Sequence, residues 1–416
     1  MHIAIIGAGA AGCFAAVHIA RQCPEATVSV FERLSRPLAK VAVTGGGRCN
    51  LTNSFADVRS VESVYPRGAR LLKRLFKVFD HRDVMRWFEQ EGVPLVTQED
   101  HCVFPRSQRA DDIVQTLLRL MRRHGVALHT GCAVTAIHPL SPGYRIAFQD
   151  KEPVEADIVV VTTGGSPKIN RLDFLSPLSL ETVPPVPSLF SFVLENHPLA
   201  ELSGMVLPHV TTRLAGTRFK AEGPLLITHW GVSGPAILRL SSYAARHLHD
   251  NAYRADLVVG WLGEESEASI AEMLRRLSSD HAAKQVGSVC PEPLGRRLWH
   301  TLLRHTGIGT ERRWSSLSAK DHRRLASRLT GHTLTISGRN PHKEEFVTCG
   351  GVALDQIQPA TLESRRHAGL YLAGEVLDVD AVTGGFNLQA AWTMGFVVSQ
   401  SIGQRLGRPS AADLHL

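Results

Sequence analysis

The sequence predicts an α/β nucleotide-binding domain whose two parts lie near the two ends of the chain and are separated by an insertion. Three observations predict it. A strand, glycine turn and helix open the chain: the apolar run Ile3-Ala4-Ile5-Ile6, then Gly7-Ala8-Gly9-Ala10-Ala11-Gly12, then Ala15-Ala16-Val17-His18-Ile19-Ala20. A second strand, Thr27–Phe31, ends on an acid, Glu32, twenty residues past Gly12. Near the other end, Gly369-Leu370-Tyr371-Leu372-Ala373-Gly374-Glu375 again reads as strand followed by an acidic turn.

The opening turn has the spacing and context of a dinucleotide site. Gly7 permits a tight turn, Gly9 lets backbone approach a pyrophosphate, and Gly12 lets the helix pack close to the strand. The helix start then offers N–H donors and a positive dipole end to an anion, and Glu32 can accept hydrogen bonds from a ribose diol. Beyond it, the loop Thr44-Gly45-Gly46-Gly47-Arg48-Cys49-Asn50 holds three consecutive glycines, which pack no core and suit backbone lying flat against a ligand. Within it Arg48 faces pyrophosphate or substrate. Cys49 is either a proton donor or redox thiol or a buried inert one, and Lys40 either pairs with a phosphate or is solvated.

Residues 68–92 carry helical apolar stripes, Val93–Pro105 alternates as a hairpin turning at Gln98-Glu99-Asp100, and Asp111–His124 is a helix with acids first and bases last. Ile158–Val161 reads as a buried strand ending at Thr162-Thr163-Gly164-Gly165. Pro184-Pro185-Val186-Pro187 is a composition break. The boundaries are then 1–189 for the first part of the nucleotide-binding domain, 190–345 for the insertion (β-rich over 190–262, helical and basic over 263–345) and 346–416 for the second part. In this last part Gly374 and Glu375 leave a strand end, where ligands sit in a doubly wound sheet. Thr383-Gly384-Gly385-Phe386-Asn387-Leu388-Gln389 starts the closing helix, whose amides favour an electron-rich carbonyl. Nucleotide-type turns at both ends favour FAD over NAD as the ligand. The middle third lacks a second GxGxxG, so NAD(P)H is expected only as a transient reductant.

Seven cysteines without CxxC spacing argue against a zinc site or a disulfide framework and fit a reducing cytoplasm. No apolar run is long enough to span a membrane. Residues 281–345 hold twelve Lys and Arg against five Asp and Glu, an excess equal to the +7 of the whole chain. Such a segment concentrates polyanions or is a solvated helical face. In the insertion, Thr228-His229-Trp230-Gly231-Val232-Ser233-Gly234-Pro235 heads a helix. His229 orients substrate, relays a proton, or bonds backbone. The spacing around Ser233 is not GxSxG, against hydrolase chemistry.

The motifs GAGAAG, TGGGRCNLTN, THWGVSGPAILRLS and AGEVLDVDAVTGGFNLQAA, in this order over nearly the full length, resemble the YhiN/BaiN/RdsA family of NAD(P)/FAD-dependent flavoproteins. The resemblance implies a two-dinucleotide-binding, Rossmann-like FAD fold with a β-barrel-like and then helical insertion. It places FAD contacts at Gly9, Ala11, Gly12, Glu32, Lys40, Gly45, Gly46, Arg48, Asn50, Val134 (through its backbone), Gly164, Gly374, Glu375, Asn387, Leu388 and Gln389. It also implies reduction of a carbon–carbon double bond conjugated to a carbonyl, either of uridine in ribosomal RNA or of a bile-acid-like enone. With the basic 281–345 segment, RNA is the favoured substrate. A small-molecule enone reductase and a non-catalytic flavin-binding protein attached to RNA are the alternatives. On the reaction side the candidates are Cys49, His229 and Arg48, and no metal is expected.

Overall fold

The computed structural model describes residues 1–166, 169–340 and 347–408. Lys343, Glu344, Glu345 and Phe346, which the sequence reading used, lie outside them. The chain folds into two units, Met1–Pro187 with Glu344–Leu416, and Ser188–Lys343.

In the first unit, continuous apolar runs become central strands buried on both faces, as parallel sheets require. Five parallel strands lie in the order Leu370–Leu372, Ile158–Val161, His2–Ile6, Thr27–Phe31, Ala127–His129. A segment from the end of the chain therefore borders a segment from its middle, one strand from the N-terminal strand. The helix Ala10–Gln22 is buried from Ala11 to Ala20, because it is covered by the sheet and by the closing helix Phe386–Arg405. Contact between the two helices is close: a Cβ on Gly395 would lie 2.6 Å from the Ala11 carbonyl oxygen. The expected hairpin forms from Leu95–Thr97 and Cys102–Pro105, with Thr52–Asn53 as its third strand. A second antiparallel sheet comprises Val134–Pro139, Tyr144–Phe148 and Val154–Ala156.

The proline run is more than a break. Thr182–Ser188 is a strand paired with Val347–Val352 in a two-stranded ribbon. Proline has no N–H for a ladder, but a ribbon has two open edges that do not need one.

The second unit is built on a closed six-stranded barrel of antiparallel neighbours, in the order Phe192–Leu194, Gly231–Ser233, Lys220–Ile227, Val206–Leu214, Ala255–Gly260, His332–Arg339. Its core holds fully buried Trp261, Trp299 and Trp314. The helix expected after Gly234 forms as Pro235–Tyr243 and is followed by Ala245–Asp250. One expectation is corrected here. The segment read as helical to its end runs as Glu267–Asp280, Gly295–His305 and Ala319–Thr330, and then returns as the strand that closes the barrel. The reason is a period of two: His332, Leu334 and Ile336 are buried while Thr333 and Thr335 are exposed.

Candidate cofactor groove

The first unit gathers the sequence candidates around the carboxyl ends of its parallel strands. Gly7 has a φ of 106°, and a Cβ there would sit 2.6 Å from the Thr162 carbonyl oxygen. A Cβ on Gly12 would sit 2.1 Å from the Gly7 carbonyl oxygen and 2.5 Å from Thr162 Oγ1. Both glycines are thus fixed by packing of the turn on the strand Ile158–Val161. Gly9 is different: a Cβ there would meet no heavy atom within 4 Å. It opens the helix Ala10–Gln22 with no side-chain cap, so the first amides, which have no acceptor within the helix, border open space at the positive end of the dipole. Such a cradle fits a pyrophosphate.

Glu32 closes one side of this turn. Its two carboxylate oxygens accept from the Ala8 N–H and the Leu34 N–H, each at 2.8 Å. Every carboxylate oxygen has a second lone pair, so Glu32 holds the turn and keeps acceptors for a diol.

The glycine-rich segment is a short helix that breaks: Ala39–Gly47 has non-helical backbone at Thr44, Gly45 and Gly46. A Cβ on Gly45 would touch the Phe104 ring and the Asn50 backbone, whereas one on Gly46 would meet nothing within 4 Å. Gly46 is therefore the open face of the loop. Arg48 turns back on its own loop; its Nε donates to the Gly45 carbonyl at 2.9 Å, and its guanidinium lies 4.4 Å from the centre of the Phe104 ring. With its amide turned so that both partners are satisfied, Asn50 donates to the Thr52 carbonyl (3.0 Å) and accepts from Gly385 N–H (3.2 Å), tying the loop to the closing helix.

Lys40, Gly164 and Glu375 meet at the far side. Lys40 Nζ donates to Glu375 Oε2 at 3.1 Å, and Glu375 Oε1 accepts from Thr348 N–H at 2.7 Å. Gly374 approaches Ala11, with a Cβ position 3.2 Å from the Ala11 methyl. Val134 begins a strand and pairs with Phe148.

For five candidates the structure adds surroundings that the sequence did not show. Cys49 is fully buried, and burial pushes its thiol up to about 12; the inert alternative is the one its surroundings support, because reactivity needs thiolate. Asn387 spends its side chain on the Ala381 N–H and carbonyl (2.9 and 3.0 Å). Gln389, fully buried, accepts from Thr52 Oγ1 (2.5 Å) and donates to Thr393 Oγ1 (3.0 Å). These two side chains brace the helix start; the Gln389 N–H is bonded to the Gly385 carbonyl (3.0 Å), which leaves the backbone amides of Asn387 and Leu388 for a ligand. The Arg48 guanidinium is held by the loop as described, rather than extended from it. His229 lies on the second unit, exposed in the turn between Lys220–Ile227 and Gly231–Ser233. Ser233 pairs with Ser191 at 2.6 Å.

Sequence reasoning missed the supports of the site. Arg67 and buried Asp380 form a two-pronged ion pair below the turn that leads to the closing helix. Tyr65 donates to the Phe386 carbonyl (2.8 Å), and Trp392 to the Leu51 carbonyl (3.0 Å). All pair residues more than 300 positions apart, which no local pattern reports.

With this geometry in view, the comparisons are specific. The family described as HI0933-like protein Rossmann domain matches residues 1–401. The chain belongs to this family. It is an oxidoreductase of the flavoprotein class. Among curated relatives, the 3-dehydro-bile acid delta(4,6)-reductase of Clostridium scindens is 30% identical, with 97% of this chain and 99% of that protein covered. The ribosomal RNA dihydrouridine synthase of Escherichia coli is 27% identical, covering 96% and 97% respectively. A crystal structure of 3-ketosteroid-delta4-(5alpha)-dehydrogenase from Rhodococcus jostii RHA1 aligns over 96% of each chain at 15% identity and a TM-score of 0.49. Among the described residues there is no cluster of three or more His, Cys, Asp or Glu that could hold a metal, and no helix is long and apolar enough to cross a membrane.

Proposed function

We propose that the chain is a cytoplasmic, FAD-dependent reductase of a carbon–carbon double bond conjugated to a carbonyl, acting on uracil in ribosomal RNA with NAD(P)H as transient reductant. The open cradle at Gly9 and Gly46, flanked by Glu32 and Glu375, fits the cofactor. The helix start Ala10–Gln22 would face its pyrophosphate, Glu32 its adenosine ribose, Glu375 and Lys40 its polyol linker, and the first amides of Phe386–Arg405 the carbonyl edge of its ring. When bound, FAD supplies hydride to the β-carbon of the substrate. The chain's part is to hold the ring edge at a helix start, where electron-rich groups are favoured, and to bring the target base out of its stack.

One observation carries the RNA reading. The helices Gly295–His305 and Ala319–Thr330 together bear seven Arg and Lys and a single acid, Asp321, which is already spent in a capping box. Arg297 and Arg304 are engaged by Glu201. Arg296, Lys320 and Arg323 are exposed and have no acidic partner among the described residues. Three such cations on phosphates predict a slope of roughly −2 for log affinity against log salt on single-stranded RNA. A second reading, reduction of a small enone, is favoured by the 30% identity to the bile-acid reductase.

Mass spectrometry of ribosomal RNA nucleosides from cells with and without the gene tests the proposal. A dihydrouridine present only with the gene is expected. Identical profiles, together with turnover of steroid-like enones that is insensitive to salt, would replace it with the second reading.

A further inference from the structure

The hydroxyl of Thr348 is a buried polar group without a job. The residue is 1% exposed, on the strand Val347–Val352, and its Oγ1 has no hydrogen-bond partner among the described residues. Native proteins leave few such groups, and this one calls for a partner beyond the described residues.

Its surroundings say what that partner is. The Thr348 N–H donates to Glu375 Oε1 at 2.7 Å. A Cβ on Gly165 would lie 2.6 Å from both Thr348 Cβ and Oγ1, and 2.7 Å from the Glu375 carboxyl carbon, so the hydroxyl and the carboxylate share the space that Gly165 leaves free. Lys40 Nζ completes the cluster, 3.1 Å from Glu375 Oε2 and 3.5 Å from the Gly165 carbonyl oxygen. The cluster has a closed end, Thr348, and an open one: the side chains of Glu375 and Lys40 are 21% and 55% exposed.

The chemistry of the three groups is complementary to a hydroxyl. A carboxylate only accepts, so a ligand O–H donates to Glu375 and keeps lone pairs that need a donor. Thr348 Oγ1–H and Lys40 Nζ–H are the donors at hand. A bare carbonyl or phosphate would satisfy the donors but be repelled by the carboxylate.

We propose that Thr348 is an additional cofactor-positioning residue whose hydroxyl, together with Glu375 and Lys40, recognises a hydroxyl of the flavin's polyol chain. This inference rests on the FAD reading above. It assigns to the strand Val347–Val352 a part in holding the cofactor, beyond the strand's role in the ribbon with Thr182–Ser188.

The test is titration of apoprotein with FAD and with FMN, which share the polyol, followed by quenching of flavin fluorescence, for the wild type, Thr348→Val and Thr348→Ser. The valine variant keeps shape and removes only the hydroxyl. It is expected to bind both flavins about tenfold more weakly, while the serine variant stays within about twofold of wild type. The apoprotein melting temperature of the valine variant is expected to equal or exceed that of the wild type, since no hydrogen bond among the described residues is lost. Wild-type affinity in Thr348→Val, or a melting temperature that falls along with the affinity, overturns the assignment. Failure of the wild type to bind either flavin overturns the cofactor reading itself, and this inference with it.

Discussion

Replacing Glu32 by glutamine probes the adenosine end of the groove without changing its shape. In the native turn each carboxylate oxygen accepts one backbone N–H at 2.8 Å, from Ala8 and from Leu34. An amide has one oxygen to offer, so one of these donors faces an NH2 group and loses its partner. A hydrogen bond to a charged group contributes about 1.5–3 kcal/mol. The variant therefore loses about that much from the apo turn. When the ribose diol donates to an uncharged acceptor in place of a carboxylate, a loss of similar size falls on binding. At 1.4 kcal/mol per decade this is a roughly ten- to hundredfold weaker affinity for FAD. FMN separates the two effects, because it lacks the adenosine ribose and reports only the loosened turn. Fluorescence titration of Glu32→Gln with both flavins is the assay. A large loss for FAD and a small one for FMN is expected. FAD affinity within twofold of wild type, or equal losses for both ligands, would refute the assignment of Glu32 to the ribose.

Three other outcomes are expected. Asp380→Asn leaves the Arg67 guanidinium, only 16% exposed, beside a neutral amide; a loss of about 3–5 kcal/mol is expected in urea unfolding, and a loss under 1 kcal/mol would show that the pair carries little. Cys49→Ala is expected to keep full turnover at a stability cost of about 1 kcal/mol, and mass spectrometry of the native wild type after iodoacetamide at pH 8 should find Cys49 unlabelled; abolished turnover with flavin still bound would restore the thiol to the chemistry. Finally, burial, with the nearby charge of Arg21, lowers the His18 pKa to about 3 from 6.5. The neutral ring favours the fold fully above pH 6.5, and that contribution is lost as pH falls from 6.5 toward 3, by about 1.4 kcal/mol per unit. His18→Phe, set among Phe14, Phe79, Trp87 and Phe396, should therefore lose about 2 kcal/mol less than wild type between pH 6.5 and pH 5; parallel unfolding curves at the two pH values would contradict this.

Much of the groove was legible because its chemistry is local. The turn Gly7–Gly12, the acid Glu32 and the strand leading to Glu375 each declare themselves within a few residues, and the structure puts all three at the carboxyl ends of one parallel sheet. What was not legible depends on distant pairing. The Thr52 hydroxyl facing the Gln389 side chain is one such pairing. The Phe104 ring under the Arg48 guanidinium is another. The closing barrel strand His332–Arg339 did show a period of two, but it directly follows a basic helix and was absorbed into that pattern. The proline run does mark where the two units divide, at Pro187, but its strand was not legible, because proline's missing N–H is fatal only inside a wide sheet and a two-stranded ribbon has no interior.

The pairing of Leu370–Leu372 with Ile158–Val161 also bears on how the chain is made. During synthesis the first half of the sheet leaves the ribosome long before its last strand and the helix that locks it. A nascent chain cut short after the barrel would have its pyrophosphate turn but neither Glu375 nor the helix start that faces the ring. In the proposed groove, flavin capture would wait until residues 370–389 have been made, and yellow colour would report that synthesis had passed them.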